Sequence, residues 1–248
     1  DFIQSIIMSI AIVFVLAFAT ISAGGIGAVM ENAQALPGYL SATSTYVAES
    51  GTSQPYGLLK IISTCAWGFG YFGMPHILLR FMAIEDENKL KLSRRVASVW
   101  VVIAMAMAVF IGIVGNALSK QGIIALLAGS DTETVIVRIA DLLSKYGIFP
   151  ALMAGLILAG ILASTMSTAD SQLLAASSSV SQNILQDTLH VKLSSKTSML
   201  IARATVIVIA ILGVIIARDP NSSVFGIVSF AWAGFGAAFG PVIICALF

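Results

Sequence analysis

Long apolar runs alternate with short polar ones along this chain. The first run, residues 2–23, has about the length of one helix able to cross a bilayer. Residues 24–57 follow as a polar loop punctuated by Pro37, Gly38, Gly51 and Pro55. A second run, residues 58–84, is interrupted by Gly68, Gly70, Gly73 and Pro75 and leads into a dense charged segment, residues 85–95. The third run is 96–118. The connection after it, 119–147, holds a candidate short helix over 133–146. There Val135, Ile139, Leu142, Leu143 and Tyr146 recur at helical spacing and make one apolar face. The fourth run keeps helical character from Pro150 to Gln186. At 1.5 Å per residue it is about 55 Å long, against a hydrocarbon core of about 30 Å, so it must tilt or protrude. The fifth run, 199–217, reaches a tight Arg218-Asp219-Pro220-Asn221 turn. The sixth, 224–248, contains Gly234, Gly236, Gly240 and Pro241. The pattern predicts an all-α integral membrane protein with six transmembrane helices.

Composition narrows the class. Hydrophobic residues make up 58% of the 248 and charged residues only 10%, where soluble domains carry about 25% charged. A soluble enzyme and a disordered tail are excluded. The formal net charge of +1 provides no field to recruit nucleic acid. Cys65 and Cys245 both sit in apolar runs, which argues against a disulfide framework. No basic region precedes a short apolar stretch and a cleavage site, so no signal peptide is read at the start. The chain begins at Asp1 and stops at Phe248 inside an apolar run, so a piece of a longer protein is expected. Arg80, Lys89, Lys91, Arg94 and Arg95 cluster after the second run, and Lys192 and Lys196 follow the fourth. Positive-inside counting therefore places 85–95 and 187–198 in the cytoplasm.

Two interruptions within the apolar runs carry the chemistry. In Trp67-Gly-Phe-Gly-Tyr71-Phe-Gly-Met-Pro75-His76, three glycines and a proline weaken the helical ladder. Irregular backbone at membrane depth survives only against protein or a water-filled cavity, and broken helices build the central sites of many transporters. Trp67 and Tyr71, four apart, share a face in an α-helical reading and can cradle a small ligand. Close packing of helices through glycine explains the same residues. In the fourth run, Ser164, Ser167, Thr168 and Ser171 recur at i, i+3, i+4 and i+7. The carbonyl of Ser164 and the hydroxyls of Ser167 and Thr168 can converge on one point, and hard cations take oxygen ligands. Alternatively, each hydroxyl bonds back to its own helix or bridges to another. Asp170, the one acidic residue deep in a run, lies off this stripe; a hydrogen bond between helices or a protonated carboxyl is the plainer reading. No nucleophile–base pair and no phosphate-binding glycine motif is found.

These segments resemble the sodium/solute symporter family, and its proline-importing branch above all. The resemblance rests on residues 67–83, on Ile161-Leu-Ala-Ser-Thr-Met-Ser-Thr-Ala-Asp-Ser-Gln-Leu-Leu174, and on Ser229-Phe-Ala-Trp-Ala-Gly-Phe-Gly-Ala-Ala-Phe-Gly-Pro241, in matching order and spacing along all 248 residues. It implies a ten-helix, leucine-transporter-like core of two inverted five-helix repeats. This chain would hold the last helix of the first repeat (1–23) and the second repeat (58–248). The first core helix, with the remaining sodium ligands, would lie outside it. By the same resemblance, sodium is held by the Ser164 carbonyl with the Ser167 and Thr168 hydroxyls. Trp67, Tyr71, Pro75, Ser229 and Trp232 face the substrate. The implied activity is sodium-coupled import of a small amino acid, proline, across the bacterial inner membrane. Two alternatives are a symporter-like sensor fused to a signalling kinase and a symporter of another small solute.

Overall fold

The computed structural model describes residues 2–218 and 223–247. Its helices are α1 (Phe2–Ser22), α2 (Ile26–Ala35), α3 (Leu58–Cys65), α4 (Pro75–Met82), α5 (Lys89–Lys120), α6 (Val135–Ser144), α7 (Ile148–Ser178), α8 (Ser195–Ile216) and α9 (Val224–Leu247). Two 3-10 segments, Ala66–Gly73 and Gly129–Thr134, and a π-helical segment, Ser179–Thr188, complete the helical part. The chain divides into two units: Asp1–Phe69 with Ile84–Ser164, and Gly70–Ala83 with Thr165–Phe248. The division falls inside α7, immediately after Ser164.

Among the described residues, five helices are long and apolar enough to cross a membrane: Ser5–Ser22, Lys89–Lys120, Ile148–Thr188, Ser195–Ile216 and Val224–Ala246. These correspond to the first, third, fourth, fifth and sixth apolar runs. The second run is not one helix. It forms α3, an eight-residue 3-10 segment and α4 in succession, because glycine removes helix propensity and Pro75 contributes no amide hydrogen to a preceding turn. The predicted turn at Arg218–Asn221 lies outside the described residues beyond Arg218.

Residues 24–57, read from sequence as a loop, are structured. Gly24 and Gly25 take φ of 87° and 93°, a region that glycine enters without a Cβ clash. They turn the chain from α1 into α2, which buries Val29 and Ala33 four residues apart. A two-stranded antiparallel hairpin follows, β1 (Ser44–Val47) with β2 (Thr52–Pro55), in the register Ser44↔Pro55 to Val47↔Thr52. The chain is all-helical as expected, apart from this one short hairpin. Its polar alternation was too brief to separate from loop composition.

The first unit has an apolar core. Val15 and Ala19 of α1, Val29 of α2, Ile111, Val114 and Leu118 of α5, Ile139 and Leu143 of α6, and Ile157 of α7 are all buried. The short helix expected over 133–146 is α6, and its predicted face packs inward: Ile139 and Leu143 are buried, and Val135 and Leu142 rest against the core. Tyr146 instead meets Phe18 edge-on, 5.6 Å between ring centroids. Gly115 brings α5 and α6 together, since a Cβ there would collide with Val135. Ile139→Ala is expected to destabilise this unit by about 2–5 kcal/mol, the usual cost of an unfilled cavity. A lowered thermal unfolding midpoint of purified protein in detergent checks it.

In the second unit, the helix after α7 loosens to π geometry. Leu189 N–H donates to the Ile184 carbonyl at 2.9 Å. The Thr188 hydroxyl and the Gln186 amide reach back five residues, to the carbonyls of Asn183 at 2.8 Å and Ser181 at 3.1 Å. Gln186 also donates to the Ser198 hydroxyl at 3.1 Å, tying this segment to α8. Ser194 caps α8 by accepting from the Thr197 N–H at 3.3 Å, one of the orphan donors of a helix start.

Candidate functional site

The broken second run positions most of the predicted substrate-facing residues. A 3-10 helix has three residues per turn, so positions i and i+3 eclipse one another. Gly70 and Gly73 therefore stack on one side of Ala66–Gly73 and leave a strip without side chains. In the second unit the turn Trp232–Phe235 of α9 fills that strip. A Cβ at Gly70 would collide with the Trp232 ring and meet its carbonyl, and one at Gly73 would run into the Phe235 backbone. The glycines thus let a helix approach at backbone distance. Met74 is extended and buried, and Pro75 starts α4 at its first turn, where its fixed φ suits a helix start.

This contact brings two predicted residues together. Tyr71 and Trp232 meet edge to face, with ring centroids 5.5 Å apart and planes at 85°, within the favoured range for aromatic pairs. Ser229 lies one turn before Trp232 on α9. Its hydroxyl donates to the Phe225 carbonyl at 2.7 Å, which leaves its oxygen lone pairs to accept. The Pro75 side chain lies outside what the structure describes.

The expected shared face of Trp67 and Tyr71 does not form. That expectation assumed α-helical geometry, in which positions four apart align. At three residues per turn they diverge by about 120°, so Trp67 aligns with Gly70 instead. The partner of Tyr71 is Trp232, 161 positions along the chain. The signal available in the sequence was the Gly70/Gly73 pair at 3-10 spacing, opposite an i, i+3 aromatic pair on the last helix.

Ser164, Ser167 and Thr168 lie on α7, which runs without a break from Ile148 to Ser178. The i, i+3, i+4 frame needed for three oxygens on one flank is therefore present in the helix itself. Ser171, the fourth member of the stripe, bonds back: its hydroxyl donates to the Ser167 carbonyl at 3.0 Å. Ser177 and Ser179 do the same, to Leu174 and Ala175 at 3.0 and 2.9 Å. Back-bonding thus accounts for the serines toward the C-terminal end of this helix. Asp170 is exposed, and among the described residues it makes no hydrogen bond between helices. Counting 1.5 Å per residue from Ile148, it lies about 33 Å along the axis.

The second-unit crevice at Gln182, Gln186, Ser195 and Ser198 holds about 380 Å³ and is neutral and polar. Cys65 and Cys245 are both free and exposed.

Residues 1–248 match the family model described as the sodium:solute symporter family. The chain is 36% identical over 248 residues to the osmoregulated proline transporter OpuE of Bacillus subtilis, covering 100% of this chain and 47% of that protein. It is 35% identical over 248 residues to the high-affinity proline transporter PutP of the same organism, covering 100% and 49%. It is 34% identical over 251 residues to the sodium/proline symporter of Escherichia coli, covering 98% and 46%. The chain therefore spans about half the length of the curated relatives it matches. No solved structure matches it.

Proposed function

Because the chain belongs to the sodium:solute symporter family, we propose that it forms part of a sodium-coupled importer of proline. Five membrane-length helices and bacterial relatives of this family make it a multi-pass protein of the bacterial inner membrane. In this reading the whole protein folds as a ten-helix inverted-repeat core with six helices contributed by this chain: α1 ends the first repeat, and residues 58–248 form the second. The broken segment counts as one crossing. The remaining helices, the first core helix among them, complete the ion site.

The roles follow from chemistry. The Ser164 carbonyl and the Ser167 and Thr168 hydroxyls offer neutral oxygens to sodium, a hard cation. Neutral ligands hold a monovalent ion loosely enough to release it. Trp67, Tyr71, Pro75, Ser229 and Trp232 bind the solute, with the aromatic pair Tyr71–Trp232 giving an apolar wall and Ser229 an acceptor. Sodium stabilises one arrangement of the repeats and so raises affinity for proline, and proline raises affinity for sodium by the same factor.

The observation that carries this reading is the whole-chain family match, with relatives named as proline transporters at 34–36% identity. The test is uptake of radiolabelled proline by cells expressing the full-length protein, with sodium replaced by potassium or choline. Uptake should fall by at least about tenfold without sodium, a coupling within the ordinary range of about 5–150-fold. Equal uptake in potassium would refute sodium coupling.

A further inference from the structure

Two modes of back-bonding meet within one helical rod of the second unit. Up to Ser179, serine hydroxyls reach three or four residues back, Ser177 to Leu174 and Ser179 to Ala175, the ordinary reach in an α-helix. Beyond it the reach is five: Thr188 to Asn183 and Gln186 to Ser181, with the Leu189 N–H on the Ile184 carbonyl. Side chains thus close the same wide turns as the backbone over Ser179–Thr188. Such π geometry is rare, mostly confined to single turns, and frequent at functional sites. The chain leaves the segment through His190, whose φ of 55° is left-handed, a region that few residues besides glycine enter.

Gln186 gives this geometry a partner. Its amide nitrogen donates to the Ser181 carbonyl and to the Ser198 hydroxyl, both at 3.1 Å, so both of its N–H groups are used. Ser198 is a fixed anchor, because its own N–H donates to the Ser194 carbonyl in the capped first turn of α8. In an α-helix, by contrast, residues five apart diverge by about 140°. A return to α geometry rotates the residues beyond Ser179 and parts Gln186 from its acceptors. The crevice of about 380 Å³ alongside, lined by Gln182, Gln186, Ser195 and Ser198, leaves room for that rotation. Ser181 is buried while the segment is held.

We propose that Gln186 is a positioning residue for the ion-bearing helix. It is a latch that holds Ser179–Thr188 in π geometry against α8 while sodium is bound, and it opens as the segment returns to α geometry. Ser167 and Thr168 lie upstream on the same helix, Thr168 about 16 Å before Ser179. The ion and the latch therefore act on one continuous rod, and each stabilises the state the other favours. Positive-inside counting places the latch on the cytoplasmic side, where the ion leaves. The choice of sodium rests on the proposed ion site; the latch geometry does not.

The experiment follows alkylation of Ser181→Cys by a maleimide in full-length protein in nanodiscs, every other cysteine replaced by serine, in sodium and in potassium. The substitution leaves the Ser181 carbonyl in place for Gln186. Sodium should slow the reaction by about fivefold, because the latched segment keeps position 181 buried. Gln186→Met, which keeps the length and loses both N–H donors, should raise the sodium rate to the potassium rate. Ser198→Ala should do the same, and the two together no more than either alone. Ser198→Thr keeps the acceptor and should preserve the difference between cations. So should Gln182→Ala, which lines the crevice without joining the latch. Sodium-dependent binding of labelled proline, measured on each sample, reports correct folding. Equal rates in sodium and potassium with that binding intact overturn the latch. So does loss of the cation difference in Gln182→Ala, which would assign it to packing of the crevice. Absence of sodium-dependent proline binding in wild type counts against the symporter reading instead.

Discussion

Thr168→Ala in the full-length protein should raise the sodium concentration for half-maximal proline uptake by at least about tenfold, with little change in folding. Thr168 is exposed on α7 within an unbroken helix. Substitutions at such positions usually change stability by no more than about 0.5 kcal/mol, and alanine is the better helix former. Removing the hydroxyl deletes one of the few neutral oxygens proposed to face sodium, and a tenfold change corresponds to about 1.4 kcal/mol. Thr168→Ser keeps the oxygen and should restore most of the sodium response. Initial uptake rates across a sodium titration, beside a thermal unfolding curve, separate the two effects. An unchanged half-saturating concentration sinks the assignment of Thr168 to the ion.

The second large effect is expected at the glycine strip. Gly73→Ala places a Cβ against the Phe235 backbone, and Gly70→Ala places one against the Trp232 ring and carbonyl. Helical backbone cannot rotate aside as a flexible side chain can, so α9 must shift. Overpacking of this kind costs about 1–3 kcal/mol. Both variants should lower proline uptake by about tenfold or more. Gly70→Ala should chiefly raise KM, because it displaces Trp232 and its contact with Tyr71. The contrast is Gly213→Ala on α8, where nothing lies within 4 Å of the added Cβ. Alanine there gains about 0.8–1.0 kcal/mol of helix propensity, and uptake should stay near that of wild type. Equal behaviour of Gly73→Ala and Gly213→Ala would show that the close approach carries no functional weight.

Five long helices were legible because membrane length and apolar composition are properties of a contiguous run. The short helix α6 was legible for a related reason: Val135, Ile139, Leu142 and Leu143 repeat at its own period. Residues 24–57 were not. The stripe of α2, Val29 and Ala33, is two residues wide, and the β1–β2 hairpin takes its stability from register rather than from hydrophobic alternation. The Trp67–Tyr71 face was misjudged because the period itself changed. Glycine-rich sequence signals a break without stating whether the backbone tightens to three residues per turn.

By itself, then, the sequence determined where the membrane-length helices lie, where the helical ladder fails, and that Ser164, Ser167 and Thr168 share one flank of α7. Each of these depends on neighbours a few positions apart. Only the tertiary structure decided that Tyr71 meets Trp232 and that Gly70 and Gly73 seat the α9 turn. Those pairings join residues more than a hundred positions apart. They depend on which backbones can approach closely, and no local period encodes that.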